Sequence, residues 1–191
     1  RIGNLEVPVA TSGKPHASKI VSFRADPRVV SALHGRFDAV SLANNHSGDY
    51  GHDAFVETMR HLANAGIAYF GGGHNLAEAH RPLWIEKNGL KIAVLGYNEF
   101  KPRAFEAGAN WPGVAWSEDD LVIAGIRAAK AAGADLVIPF MHWGWEKETQ
   151  PTERQKVFAR KMIDEGAALV VVFFFNDTAT TEIYTGKPIV Y

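Results

Sequence analysis

Apolar positions along the chain recur with two different periods. "FDAVSLA" (Phe37 to Ala43) is a short apolar run that ends in polar residues, the pattern of a buried strand emptying into a loop. Phe55, Met59, Leu62 and Ala63 then return at helical spacing, and Gly66 marks the stop of that helix. "IAYFGGG" predicts a strand running into a flexible turn. "LWIEKNGLKIAVLGY" holds two strand-like runs around Asn88-Gly89, a dipeptide that favours a tight hairpin. A second helix is predicted over Ser117 to Ala132, with Ser117 as its N-cap and Glu118, Asp119 and Asp120 suiting the positive end of its dipole. "DLVIPFMHWG" reads as a buried strand ending in polar groups, Thr152 to Glu165 as a third helix, and "ALVVV" as the next strand. No internal repeat or linker breaks the pattern, and Lys101 to Pro112 is the only long irregular stretch. Alternating strands and helices predict one α/β domain over residues 1–191, with sheet inside and helices outside.

Composition narrows the classes. At 47% hydrophobic, 21% charged and net charge −1, the chain is a globular domain with no electrostatic footprint for nucleic acid or an anionic membrane. The absence of cysteine removes disulfides, thiolate metal sites and a cysteine nucleophile. No apolar run approaches the roughly 18 residues of a spanning helix. The chain opens on Arg1 rather than Met and is read as a fragment, which leaves any upstream signal peptide or anchor open.

Candidate chemistry gathers at three predicted strand ends, where α/β folds build their sites. "GNLE" (Gly3 to Glu6) carries an amide and a carboxylate. "ANNHSGDYG" (Ala43 to Gly51) carries Asn44, Asn45, His46 and Asp49. "MHWGWE" (Met141 to Glu146) carries His142 and Glu146. Imidazole, carboxylate and amide oxygen make a donor set suited to Zn, Mn or Fe. Each place also has a structural reading. The paired asparagines could hold a turn, His142 could be a satisfied core histidine, and Glu6 could be surface. "GGGHN" (Gly71 to Asn75) could bring backbone amides to an anion, or simply be a tight turn that needs glycine. His16, His34, His52, His61, His74 and His80 fall outside these places and are read as surface or helix residues.

"GNLE", "SLANNHSGDYG", "GGGHNLAEAHRP" and "HWGWE", in that order, resemble the CapA family of capsule (poly-γ-glutamate) biosynthesis proteins, within the calcineurin-like metallophosphoesterase superfamily. The resemblance covers about Arg1 to Val171 and resumes at "GKPIVY". It implies a metallophosphoesterase-like two-sheet sandwich flanked by helices, here truncated at both ends, with a two-metal site at strand ends. Carried over, Glu6 corresponds to a carboxylate bridging two metals, and Asn45 and His142 to ligands of the second metal. His46 corresponds to the histidine that supports the transition state or protonates a leaving group. Asp49 and Glu146 would orient His46 and His142. The implied cofactors are two divalent transition-metal ions (Mn, Fe or Zn) that clamp an anionic small-molecule or polymer substrate and activate a bound water.

Two pieces of the family pattern are missing. One is an N-terminal strand ending in Gly-Asp. The other is a histidine-rich segment after "ALVV", where this chain reads "VFFFNDTA". Asn176 through Thr185 equals the translation of AATGATACGGCGACCACCGAGATCTACAC, the start of a common sequencing-library adapter, so residues 172–185 are read as artefactual. "TEIYTGKPIVY" would otherwise read as two strands around Gly186. The expectation is an incomplete site, inactive in the chain as written. For the intact protein it is a bacterial metal-dependent hydrolase of phosphoesterase type. The alternative is a non-catalytic accessory subunit of a membrane-bound poly-γ-glutamate synthesis and export complex, working beside capsule-synthase membrane subunits. The family places such a protein at the cell envelope or on a membrane anchor, with the cytoplasm also open.

Overall fold

Strand-period runs of the sequence become two sheets that face each other, and the helix-period runs cover their outer faces. The computed structural model describes residues 1–17, 19–100, 103–144, 150–173 and 181–185. In chain order its elements are β1 (Ile2–Asn4), α1 (Val29–Leu33), β2 (Ala39–Ser41), α2 (Gly51–Asn64), β3 (Ala68–Phe70), β4 (Gly72–Gly73), α3 (Leu76–Ala79) and β5 (Leu83–Lys87). They continue with β6 (Leu90–Asn98), β7 (Gly113–Val114), α4 (Asp119–Ala131), β8 (Leu136–His142), α5 (Glu153–Asp164), β9 (Leu169–Phe173) and β10 (Thr181–Thr185). One sheet is parallel, in the order β1-β2-β3. A second runs β10-β9-β8-β6-β5, parallel at its centre and antiparallel at both edges, and β4 and β7 form a separate two-stranded antiparallel sheet.

Three apolar clusters define four layers. Val40 and Leu42 on one face of the first sheet meet Phe55, Met59 and Leu62 of α2. Phe70, on the opposite face, meets Val94 and Phe140 of the second sheet. Leu95, Tyr97, Val137, Met141, Val170 and Val172 point the other way, onto Val122 and Ile126 of α4 and Phe158 and Met162 of α5. The alternation follows the pleat, since neighbouring residues on a strand face opposite sides. The expected two-sheet sandwich flanked by helices is therefore what the chain forms, in the order helix, sheet, sheet, helix.

Local chemistry explains the boundaries. Asn88 and Gly89 both take positive φ, +52° and +77°, and close the β5–β6 hairpin as their sequence predicts. Gly66 ends α2 at φ +69°. Helix α5 starts in a capping box: Gln155 N donates to Thr152 Oγ1 at 3.3 Å, and Thr152 N donates to Gln155 Oε1 at 2.7 Å. Helix α4 departs from expectation. Its N-cap is Glu118, and Ser117 instead donates to Glu99 Oε2 at 3.0 Å, because that hydroxyl faces the end of β6 rather than the helix start.

The triple glycine is not a flexible turn either. Gly72 and Gly73 form β4, paired with β7. A β-carbon on Gly71 would lie 2.7 Å from Ala43 Cβ and 3.1 Å from Gly96 Cα, so the absence of side chains lets the two sheets touch backbone to backbone. The amides beyond serve a helix start: Asn75 Oδ1 accepts from Glu78 N at 2.9 Å, and His74 N donates to Glu78 Oε2 at 3.0 Å. The chain's own carboxylate occupies the place an anion would take. Thr181–Thr185 pairs antiparallel with β9, in keeping with the strand preference of its Thr, Ile and Tyr content; Asn176–Thr180 lies outside the described residues.

Glu57 on α2 ties down the segment after β1. Its carboxylate accepts from Thr11 N at 3.1 Å, Thr11 Oγ1 at 3.0 Å and Ser12 N at 2.9 Å, from the Ser12 hydroxyl, and lies 3.2 Å from His61 Nε2. Burial pushes this carboxyl up, but the Ser12, Thr11 and His61 donors outweigh it and hold the group well below the usual carboxylate range. A folded-state value below the unfolded one contributes stability that is complete above about pH 5, begins to be lost as the pH falls through the ordinary glutamate range, and is gone only below the depressed folded value. Glu57→Gln is expected to cost about 2–3 kcal/mol in urea unfolding at pH 7, and the gap between variant and parent should narrow at pH 4.

Candidate functional site

The loops after β1, β2 and β8 leave their sheets at one edge of the sandwich, and the candidate residues meet there. His142 is the last residue of β8 and shares the face of Phe140, which looks into the gap between the sheets. Its Nε2 lies 2.8 Å from Asn45 Oδ1, across from the first sheet, and 3.7 Å from Glu6 Oε1. A carboxylate, an amide oxygen and an imidazole nitrogen from three separate strand ends thus converge.

Asn44 builds this meeting point. It is fully buried, and its Nδ2 donates to Asn4 Oδ1 at 3.1 Å and to Leu5 O at 2.9 Å. Its Oδ1 accepts from His46 N at 3.1 Å and lies 3.0 Å from Ser47 Oγ. One carboxamide therefore staples the loop after β1 to the loop after β2. Asn4 in turn donates to Glu6 Oε2 at 2.8 Å, which orients that carboxylate. His46 and Asp49 form a pair, with His46 Nδ1 2.8 Å from Asp49 Oδ2. Asp49 is 0% exposed and also accepts from Phe23 N at 2.8 Å and from the Lys19 ammonium. Burial raises the Asp49 carboxyl, while the donors from His46, Lys19 and Phe23 prevail and keep it below the usual range. For His142, burial, helped by the nearby His46 charge, brings the imidazole down to about 3. It is therefore neutral at physiological pH, the form in which imidazole ligates a metal.

The structure brings together Glu6, Asn45, His46, Asp49 and His142, while Glu146 lies outside the described residues. Sequence reasoning missed the roles of Asn44, Asn4 and Lys19. The Asn-Asn doublet signalled the first without saying which amide faces inward, and nothing in the sequence signalled Lys19. Of the other histidines, His34 contacts Ala65 O at 2.9 Å and His61 pairs with Glu57. His80, the C-cap of α3, is half-buried: its Nε2 is buried, 5.7 Å separates its ring from that of Tyr97, and burial lowers its pKa.

Donor chemistry decides how well this site suits a metal. Ligand atoms bound about 2.1 Å from one ion lie about 3.0–3.4 Å apart. The Nε2–Oδ1 and Nε2–Oε1 separations of 2.8 and 3.7 Å fall just below and just above that range, so the donor types suit an ion while their spacing is that of hydrogen-bond and ion-pair neighbours. Among the described residues, no group of three His, Cys, Asp or Glu side chains could hold an ion by itself.

A helix–sheet–sheet–helix sandwich with donor-bearing loops at one strand edge defines the class of protein. The chain belongs to the bacterial capsule synthesis protein family PGA_cap, which it matches over residues 1–191. It is 32% identical over 192 aligned residues to the PGA biosynthesis protein CapA of Bacillus subtilis, covering 99% of this chain and 50% of that one. It is 33% identical over 202 aligned residues to a Mycobacterium tuberculosis protein named "Probable polyglutamine synthesis accessory protein", covering 98% and 52%. The chain thus spans about half the length of the curated relatives it matches. Among solved structures, the calcineurin-like phosphoesterase YfkN of Bacillus subtilis overlaps with a TM-score of 0.48 at 18% identity, covering 76% of this chain and 47% of that one. The NAD nucleotidase of Haemophilus influenzae overlaps with 0.47 at 13%, covering 83% and 35%.

His142→Ala in the full-length protein is expected to weaken Mn²⁺ binding at least tenfold in isothermal titration calorimetry. Equal affinity in the two proteins would remove His142 from the ligand set.

Proposed function

We propose that this chain carries part of the reaction centre of a metal-dependent hydrolase of the phosphoesterase type, acting within capsule or poly-γ-glutamate biosynthesis. The observation that supports this reading most is the convergence of Glu6, Asn45 and His142 beside the His46–Asp49 pair. Family membership supplies the biological setting. Glu6, Asn45 and His142 would hold a divalent ion (Mn, Fe or Zn), which when bound supplies Lewis-acid stabilisation to an anionic substrate. The resemblance implies a second such ion, with Glu6 shared between the two.

The chain's own groups would do the rest. Asp49 holds His46 through Nδ1, so the opposite ring nitrogen is the atom that would pass a proton to the departing oxygen. Asn44 fixes the backbone amide of His46, which limits how far the imidazole can wander from the donors. Asn4 keeps one oxygen of Glu6 engaged and turns the other toward His142.

A second reading is a non-catalytic accessory subunit that uses the same cleft to hold an anionic polymer beside membrane-bound synthase subunits. The naming of the mycobacterial relative as an accessory protein favours it. No helix among the described residues is long and apolar enough to cross a membrane.

The two readings separate on the full-length protein loaded with Mn²⁺, assayed on 4-nitrophenyl phosphate and on γ-linked glutamate oligomers. Hydrolysis predicts that His46→Ala lowers turnover about 10²–10⁴-fold with metal content unchanged. A fully active variant takes His46 out of the mechanism. A parent protein that retains the oligomers but cleaves neither substrate supports the accessory role.

A further inference from the structure

Lys19 stands outside every motif of the sequence, on a segment without regular secondary structure between β1 and α1. Its ammonium nevertheless reaches into the site and donates to two acceptors, Asp49 Oδ1 and the backbone carbonyl of Asn45. The side chain is 22% exposed, and the carboxylate it meets is 0% exposed. Four residues on, Phe23 N donates to Asp49 Oδ2 at 2.8 Å, and the Phe23 ring lies 4.8 Å from that of His46.

We propose that Lys19 is a positioning residue for the candidate site, holding the Asp49 carboxylate that orients His46 and, through the same ammonium, the peptide carbonyl of Asn45. This rests on the reading that His46 and Asn45 belong to the reaction centre. The physical argument begins with Asp49. A fully buried carboxylate is costly unless charge and hydrogen bonds compensate it. Its two oxygens have separate partners. Oδ2 accepts from Phe23 N and pairs with His46 Nδ1, and Oδ1 takes the Lys19 ammonium. Remove the ammonium, and Oδ1 loses a charge-assisted partner. The carboxylate is then free to rotate toward other donors, and His46 turns with it.

The second bond acts in parallel. By gripping the Asn45 carbonyl, Lys19 limits rotation of the peptide that carries the Asn45 side chain, whose Oδ1 sits 2.8 Å from His142 Nε2. One cation on a separate segment therefore fixes both the proton-transferring histidine and a donor atom of the metal set. Lysine suits this place because its compact ammonium presents three donors in any direction, whereas a planar guanidinium is built for side-by-side contacts.

A contact between Lys19 and the substrate would act differently, through substrate affinity. The two roles separate in kinetics. In the full-length Mn²⁺-loaded protein, Lys19→Met keeps the aliphatic stem and removes the charge. It is expected to lower kcat about ten- to a hundredfold on 4-nitrophenyl phosphate, with KM changed less than threefold, and Lys19→Arg is expected to recover part of the loss. A raised KM with unchanged kcat would make Lys19 a substrate contact and overturn the proposal. The same variants in histidine-¹⁵N-labelled protein supply a readout that needs no turnover. The His46 Nδ1 resonance should move in Lys19→Met and move less in Lys19→Arg. An unmoved resonance in folded Lys19→Met overturns the positioning role whatever the assay shows. His46→Ala, run alongside, tests the underlying reading on its own: full activity there defeats the reaction centre while the resonance still judges Lys19.

Discussion

The two sheets touch through backbone at Gly71 and Gly96, and the site depends on that contact. A β-carbon on Gly96 would lie 2.9 Å from Gly71 Cα and 2.8 Å from the Phe70 ring, so any side chain there would push the sheets apart. Gly71 O also accepts from Ala115 N at 3.0 Å, which ties the junction to the segment after β7. Ala43, against which Gly71 packs, is the residue before Asn44. The spacing between the sheets therefore sets the distance from the loop after β2 to the end of β8. Convergent polar groups depend on placement to a fraction of an ångström, and here a pair of glycines provides it from the scaffold.

Around that junction the polar groups form a chain in which each member is held by the next. Asn44 joins two loops, Asn4 turns Glu6, Asp49 turns His46, and Lys19 holds Asp49. Inside a protein such groups reinforce one another when all are satisfied, and each becomes costly when one partner is missing. The loops are short on regular hydrogen bonding, but their side chains supply it. The same logic operates at a distance in Glu57, which anchors the start of the Thr11–Ser12 segment that leads toward Lys19.

Much of this was legible in the chain. Period-2 runs gave the strands, the spacing of Phe55, Met59 and Leu62 gave α2, and Asn88-Gly89 gave the hairpin, because these depend on residues close in sequence. Ser117 and the triple glycine were misjudged for the opposite reason. The Ser117 hydroxyl was captured by Glu99, 18 residues away, and the glycines answered to distant strands, Gly71 to β6 and Gly72 and Gly73 to β7. Candidate donors could be picked out by residue type at strand ends, yet their grouping could not be derived from spacing. His142 and Asn45 are 97 positions apart and meet only because the sheets stack. Lys19 illustrates the limit most clearly, as a lysine in an irregular segment has no local pattern to distinguish it from a solvated one. The sequence by itself determined the longer strands and helices, their order and the chemical types available for a site, since backbone propensity and side-chain period are local properties; the short α1, α3, β4 and β7 were not read from it. Tertiary structure alone decided which of those groups face one another. That outcome depends on sheet spacing and on burial, which no stretch of chain possesses until the others are in place.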